Sequence, residues 1–133
     1  MTHCARLIRF SRTMLVVASV TAHAEVPIGT STTVASFTNP SATNQAVDFE
    51  AIINGFIPTG TVTFAEEAKV LCSAVPVASS SSTGVAYCTA SFSQGAHTVT
   101  ASYSGDSENA PSSACIVQRV GLDAIWMDGF ECL

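Results

Sequence analysis

The chain has 133 residues, enough for one domain, and only 11% of them are charged. Ser and Thr supply 32 residues while aromatics make up 8%, which is unlike the charged, Leu-rich mix of a helical bundle; 47% hydrophobic residues is too apolar for a disordered chain. Five basic against ten acidic residues exclude a nucleic-acid binder, which needs a basic patch for the phosphates.

Residues 1–24 read as a secretory signal peptide. Arg6, Arg9 and Arg12 give a positive start, Met14 to Val20 an apolar run, and Thr21-Ala22-His23-Ala24 a small-residue cleavage site. The apolar run is too short to span a bilayer, which takes about 20 residues. Cys4 precedes that run, so it is not a lipid-attachment cysteine. Cleavage after Ala24 leaves 109 residues, with Lys69 and Arg119 against ten acids and a net charge of −8. No integral membrane segment is expected after cleavage. A short linker, 25–30, precedes the folded domain.

The mature segment alternates apolar and polar residues between turn signals spaced every 8–12 residues, as in an all-β sandwich. The predicted strands are 31–37, 46–53, 61–64, 68–73, 85–92, 96–104 and 114–120, seven in all. Val47, Phe49 and Ala51 face opposite to Asp48 and Glu50; Val62 and Phe64 face opposite to Thr61 and Thr63. Val47, Phe49, Val62, Phe64, Val99 and Tyr103 are the predicted core, with the Tyr103 hydroxyl on a backbone partner. Ser79–Ser82 reads as a flexible polar loop.

These residues carry a resemblance. Ser31-Thr32-Thr33-Val34, Asn39-Pro40-Ser41 and Val47-Asp48-Phe49 look like the opening of bacterial immunoglobulin-like repeat domains. Pro58-Thr59-Gly60-Thr61-Val62-Thr63-Phe64 and the run from Gly95 to Asp106 are the strongest matches, followed by Asn109-Ala110-Pro111-Ser112-Ser113. The resemblance covers about 31–120. It implies an immunoglobulin-like, seven-stranded antiparallel β-sandwich, one unit of an array on exported or surface proteins, with no catalytic residues. Ala65-Glu66-Glu67 stands where members often carry an Asp-Gly turn. No internal repeat is visible.

The tail, 121–133, contains Asp128-Gly129-Phe130-Glu131, which resembles a short C-terminal motif of exported proteins from some Gram-negative bacteria. It reads as a sorting tag, or as a tail that docks Trp126 and Phe130 on the sandwich.

Four cysteines remain in the mature segment, an even number that reads as disulfides in an exported chain. Cys72 and Cys88 lie on consecutive predicted strands joined by a hairpin-like loop, and family members carry cysteines at these places. A Cys72–Cys88 bridge is expected. Zinc is the rival, without a CxxC pair to support it. Cys115 and Cys132 then pair with each other, or stay free, with Cys132 able to link two chains.

Other chemistry is poorly supported. His97 shares its face with Val99, Ala101 and Tyr103, and reads as a half-buried strand histidine on a backbone carbonyl rather than a general base. No Gly-x-Ser-x-Gly context accompanies it. Glu66 and Glu67 are adjacent, belong to a solvated turn, and cannot face one glycosidase gap. Asp106, Glu108 and Asn109 crowd one loop as calcium ligands would, but Gly105-Asp106 equally reads as a turn with an Asx-type bond. No catalytic residue, metal or cofactor is expected.

The functional expectation is a non-catalytic, secreted, periplasmic or cell-surface module, a structural spacer or an adhesion domain. Its partner is a surface protein or a glycan. The alternative is a carbohydrate-binding module, for which Phe56, Phe92, Trp126 and Phe130 are the available aromatics.

Overall fold

A computed structural model describes residues 24–121. They contain eight strands and, among the described residues, no helix. The strands are β1 (Ser31–Ser36), β2 (Ala46–Asn54), β3 (Thr61–Glu66), β4 (Lys69–Pro76), β5 (Ala78–Ser80), β6 (Thr83–Ser91), β7 (Gly95–Tyr103) and β8 (Ser112–Val120). One sheet runs β1-β2-β6-β5 and the other β4-β3-β7-β8, with antiparallel pairing throughout both.

The period-2 pattern decides which side of each strand is buried. On β2, Val47, Phe49, Ala51 and Ile53 are all within 1% of full burial. Val62 and Phe64 on β3, Ala86 and Cys88 on β6, and Val99, Ala101 and Tyr103 on β7 meet them from both sheets. Each large side chain so buried contributes roughly 1.5–3 kcal/mol. All six predicted core residues lie in this layer.

Strand number differs from the predicted seven because Ala78–Ser80 pairs with Thr83–Val85 as a short edge strand. All three of its residues are exposed, so no alternation marks it in the sequence. At the β3–β4 turn, Glu67 takes φ 48°, a left-handed conformation in the place where family members carry Asp-Gly.

The two long sides of the sandwich close differently. After β4 the chain crosses to the other sheet, with the Val77 N–H donating to Gly60 O at 3.1 Å. The Cys72–Cys88 disulfide therefore joins β4 to β6, one sheet to the other, with Cα atoms 6.0 Å apart. It does not cross a hairpin, because the consecutive predicted strands belong to different sheets.

On the opposite side the N-terminal segment and β1 run parallel to β8 and are joined to it by polar bonds. Ile28 N–H donates to Glu108 O at 2.7 Å, and Ala110 N–H to Ile28 O at 2.8 Å. Thr30 Oγ1 donates to Ala110 O at 2.8 Å, and Ser112 Oγ lies 2.7 Å from the hydroxyls of both Thr30 and Thr32. Ser36 Oγ donates to Gln118 Oε1 at 2.6 Å. Asn39 then spans Val117 O and Arg119 N–H, at 2.8 and 3.0 Å, and Ser41 N–H donates to Arg119 O at 2.9 Å. Gln118 is fully buried, yet its amide donates to Thr38 O, Ser41 Oγ and Arg119 O, so burial leaves it bonded.

The chain thus enters at a proximal pole, beside the β2–β3 and β7–β8 loops. It leaves β8 at a distal pole, beside the β1–β2 and β6–β7 loops. Residues 1–23, all but the last of the expected signal peptide 1–24, and the tail 122–133, with Trp126, Phe130, Cys132 and the Asp-Gly-Phe-Glu motif, lie outside the described residues.

Candidate interaction surface

The proximal pole is built around Asp106. Gly105 turns the chain after β7 with φ 75°, and a Cβ there would meet Asn109 O at 2.8 Å. The turn closes through Asp106 N–H to Asn109 O, 2.9 Å. The Asp106 carboxylate then collects donors from three segments. Oδ1 accepts from the N–H groups of Glu108 and Asn109 and from Asn109 Nδ2, each at 2.9 Å. Oδ2 accepts from Thr59 N–H at 2.7 Å, Thr59 Oγ1 at 3.0 Å, Tyr103 OH at 2.9 Å and Asn109 Nδ2 at 2.9 Å.

Partial burial alone would raise the Asp106 pKa. The donors outweigh it, led by the N–H groups of Thr59 and Glu108, and hold the carboxyl well below the usual carboxylate range. Tyr103 moves the other way: burial first, then its bond to Asp106, push the phenol above its ordinary value. The Tyr103 hydroxyl thus reaches a side-chain carboxylate, not the backbone partner expected from sequence. Asp106 acts as the Asx-type turn anchor, its oxygens turned to protein donors rather than to a cation.

Around this anchor lies an apolar rim. Val26, Ile28, Phe56 and Ile57 are 87, 54, 53 and 52% exposed. Val26, Ile28 and Phe56 line an open pocket of about 210 Å³, bordered by Glu25, Ser107 and Glu108. Phe56 is thus exposed, as the aromatic reading requires. Phe92 is not: it is 4% exposed and packs edge-on against Phe49, ring centroids 5.9 Å apart. Two exposed aromatics escaped the sequence reading, Phe37 and Tyr87. Tyr87 lies on the outer face of its sheet and donates to Glu50 Oε1 at 2.9 Å, an interaction that raises its phenol pKa. Its place between the inward-facing Ala86 and Cys88 was the available signal.

At the distal pole His97 is half-buried, with Nε2 2.8 Å from Ser93 O and its ring against Phe92, centroids 4.9 Å apart. The carbonyl contact matches the sequence reading. Its Nδ1 also meets Glu66 Oε1, which corrects the solvated-turn reading of Glu66. β3 runs two residues further than predicted and carries that carboxylate opposite β7. Among the described residues, no three His, Cys, Asp or Glu side chains stand where they could hold a metal ion. No helix among them is long and apolar enough to cross a membrane.

Cys72 and Cys88 come together as described above. Cys115 sits half-buried on β8 and is disulfide-bonded, while Cys132 falls outside the described residues. The sequence matches the bacterial Ig-like domain (group 3) family over residues 20–121, most of the chain. The chain belongs to that family. Group 3 bacterial Ig-like domains are generally non-enzymatic surface modules, and the intramolecular disulfide is typical of extracellular proteins. No curated protein matches the chain.

Proposed function

We propose that this bacterial Ig-like domain is a non-catalytic spacer that works outside the cytoplasm, secreted, in the periplasm or at the cell surface. The parallel course of the N-terminal segment and β8, entering at one pole and leaving at the other, carries this reading. Tension applied along the chain draws these two segments past one another. The bonds from Ile28 to Ser41 are then loaded together, as shear, rather than broken one at a time. The apolar rim at Val26, Ile28 and Phe56 is the surface offered to a protein partner.

Pulling on linked copies of the mature chain tests the reading. Each unit is expected to give one force peak, lowered by the double change Thr30→Val and Ser112→Ala. Gradual unravelling without a peak would argue against a spacer.

A glycan is the second reading, favoured by exposed Tyr87 and Phe37 beside the carboxylates Glu50 and Asp48. Phe37 donates its N–H to Asp48 O at 3.0 Å, two residues along β2 from Glu50, the residue paired with Tyr87. Polysaccharide retention lost in Tyr87→Ala would establish it; equal retention by the variant would remove it.

A further inference from the structure

The two poles carry the two halves of a contact. At the proximal pole, Val26, Ile28 and Phe56 line the open pocket of about 210 Å³. An apolar cavity of roughly 150 Å³ holds a benzene ring, so this one has room for a phenyl side chain. Its walls are held by main-chain bonds: Ile28 to Glu108 and Ala110, and Phe56 to the Asn109 side chain. At the distal pole, Phe37 begins the β1–β2 loop and is 63% exposed. Its N–H is fixed to Asp48 O at 3.0 Å, and the neighbouring Thr38 carbonyl accepts from Gln118 Nε2 at 2.9 Å. A ring held out on fixed backbone loses little freedom on docking.

Charge divides along the same axis. The proximal pole carries Glu25, Asp106 and Glu108 and, among the described residues, no Lys or Arg. The amino group that cleavage after Ala24 would free leaves this pole net negative. Lys69 and Arg119, the Lys and Arg of the described residues, both lie at the distal pole. Arg119 N–H bonds Asn39, two residues from Phe37. Among the distal acids, Glu66 meets His97 and Asp48 accepts from Thr89; Glu67 is the third.

We propose that a second copy of this chain docks end to end on the first. Its Phe37 enters the proximal pocket, and its Arg119 and Lys69 bring positive charge to the pole of Glu25 and Glu108. The proposal rests on the reading of the apolar rim as a protein surface, and it names the partner. The contact joins two different patches, so it is heterologous and can repeat from copy to copy. A pole-sized contact belongs with weak interfaces burying less than about 1,200 Å². Association on the order of 100 μM is therefore expected.

Sedimentation of the exported chain tests this. The average mass should rise past the dimer as concentration approaches about 1 mM. Phe37→Asp and Phe56→Asp should each weaken association at least about tenfold, with unchanged melting, since both rings are exposed. An equal mixture of the two variants should form a 1:1 dimer and stop there, because one copy keeps the pocket and the other keeps the ring. Glu25→Lys with Glu108→Lys should weaken association several-fold. A wild-type chain that stays monomeric, a mixture that stays monomeric, or association lost in Phe56→Asp but intact in Phe37→Asp overturns the proposal. The last result would mark a symmetric pocket-to-pocket contact. A monomeric chain that still unfolds in one force peak overturns this proposal and leaves the spacer reading standing.

Discussion

The side-chain amide of Asn109 bonds both the N–H and the C=O of Phe56, each at 2.8 Å. Asn39 makes the same kind of two-way contact with β8 at the other pole. Each asparagine completes backbone pairing where no strand is available. At the proximal pole this holds the β2–β3 loop against the β7–β8 loop. It therefore sets the position of Phe56 in the apolar rim.

Asn109→Ala should destabilise the domain by about 2–3 kcal/mol, since it removes a buried side-chain amide and leaves the part-buried N–H and C=O of Phe56 without their partner. The urea midpoint should fall with little change in slope. Asn39→Ala should cost less, because water can reach its backbone partners. Gly55→Ala should resemble Asn109→Ala, as a Cβ there lies 2.5 Å from Asn109 Oδ1.

The depressed pKa of Asp106 makes the proximal pole sensitive to acid. A carboxyl with a lowered folded-state pKa contributes stability that is fully present above its unfolded value, about 3.9, and is lost as pH falls through the folded value. Asp106→Asn should be less stable than wild type at pH 7. The gap should narrow below about pH 4, as the wild type loses its anionic advantage. Urea titrations of both proteins between pH 2 and pH 7 check the convergence. A constant gap would show that the charge of Asp106 does not matter.

Much of the sandwich is legible in the sequence. Val47, Phe49, Val62 and Phe64 announce their strands because burial on one face forces alternation. β5 announces nothing, since a strand exposed on both faces carries no such pattern. The sheet switch at Val77 is equally silent, which is why the disulfide reads as a hairpin staple rather than a bridge between sheets. The polar cluster at the proximal pole is half-legible. Asp106 and Asn109 stand out as turn residues, but Thr59 and Phe56 come from a loop some 50 residues earlier, and only the fold brings them together.

Glu67 occupies the first central position of the turn between Glu66 and Lys69, with φ 48°. A left-handed non-glycine residue costs about 1–2 kcal/mol, partly offset by the greater unfolded-state freedom of glycine. Glu67→Gly should be neutral or stabilising by about 0.5 kcal/mol. Thermal unfolding detects the sign.

Breaking the inter-sheet bridge should be the larger loss. Cys72→Ala with Cys88→Ala opens a link of sequence separation 16, worth about 3 kcal/mol by chain entropy. The buried Cys88 side adds a small packing cost. The variant should remain folded at low temperature, with a lower melting point on differential scanning calorimetry.

Pulling single molecules from both ends tests the spacer account most directly. The account predicts one sharp unfolding event per domain, with an unfolding force that falls when Thr30→Val and Ser112→Ala remove the hydroxyl rungs between β1 and β8. Reduction should add about 50 Å to the released length by freeing the segment between Cys72 and Cys88. Extension without a force peak, or a peak unmoved by the double variant, would contradict the claim that these parallel segments bear the load.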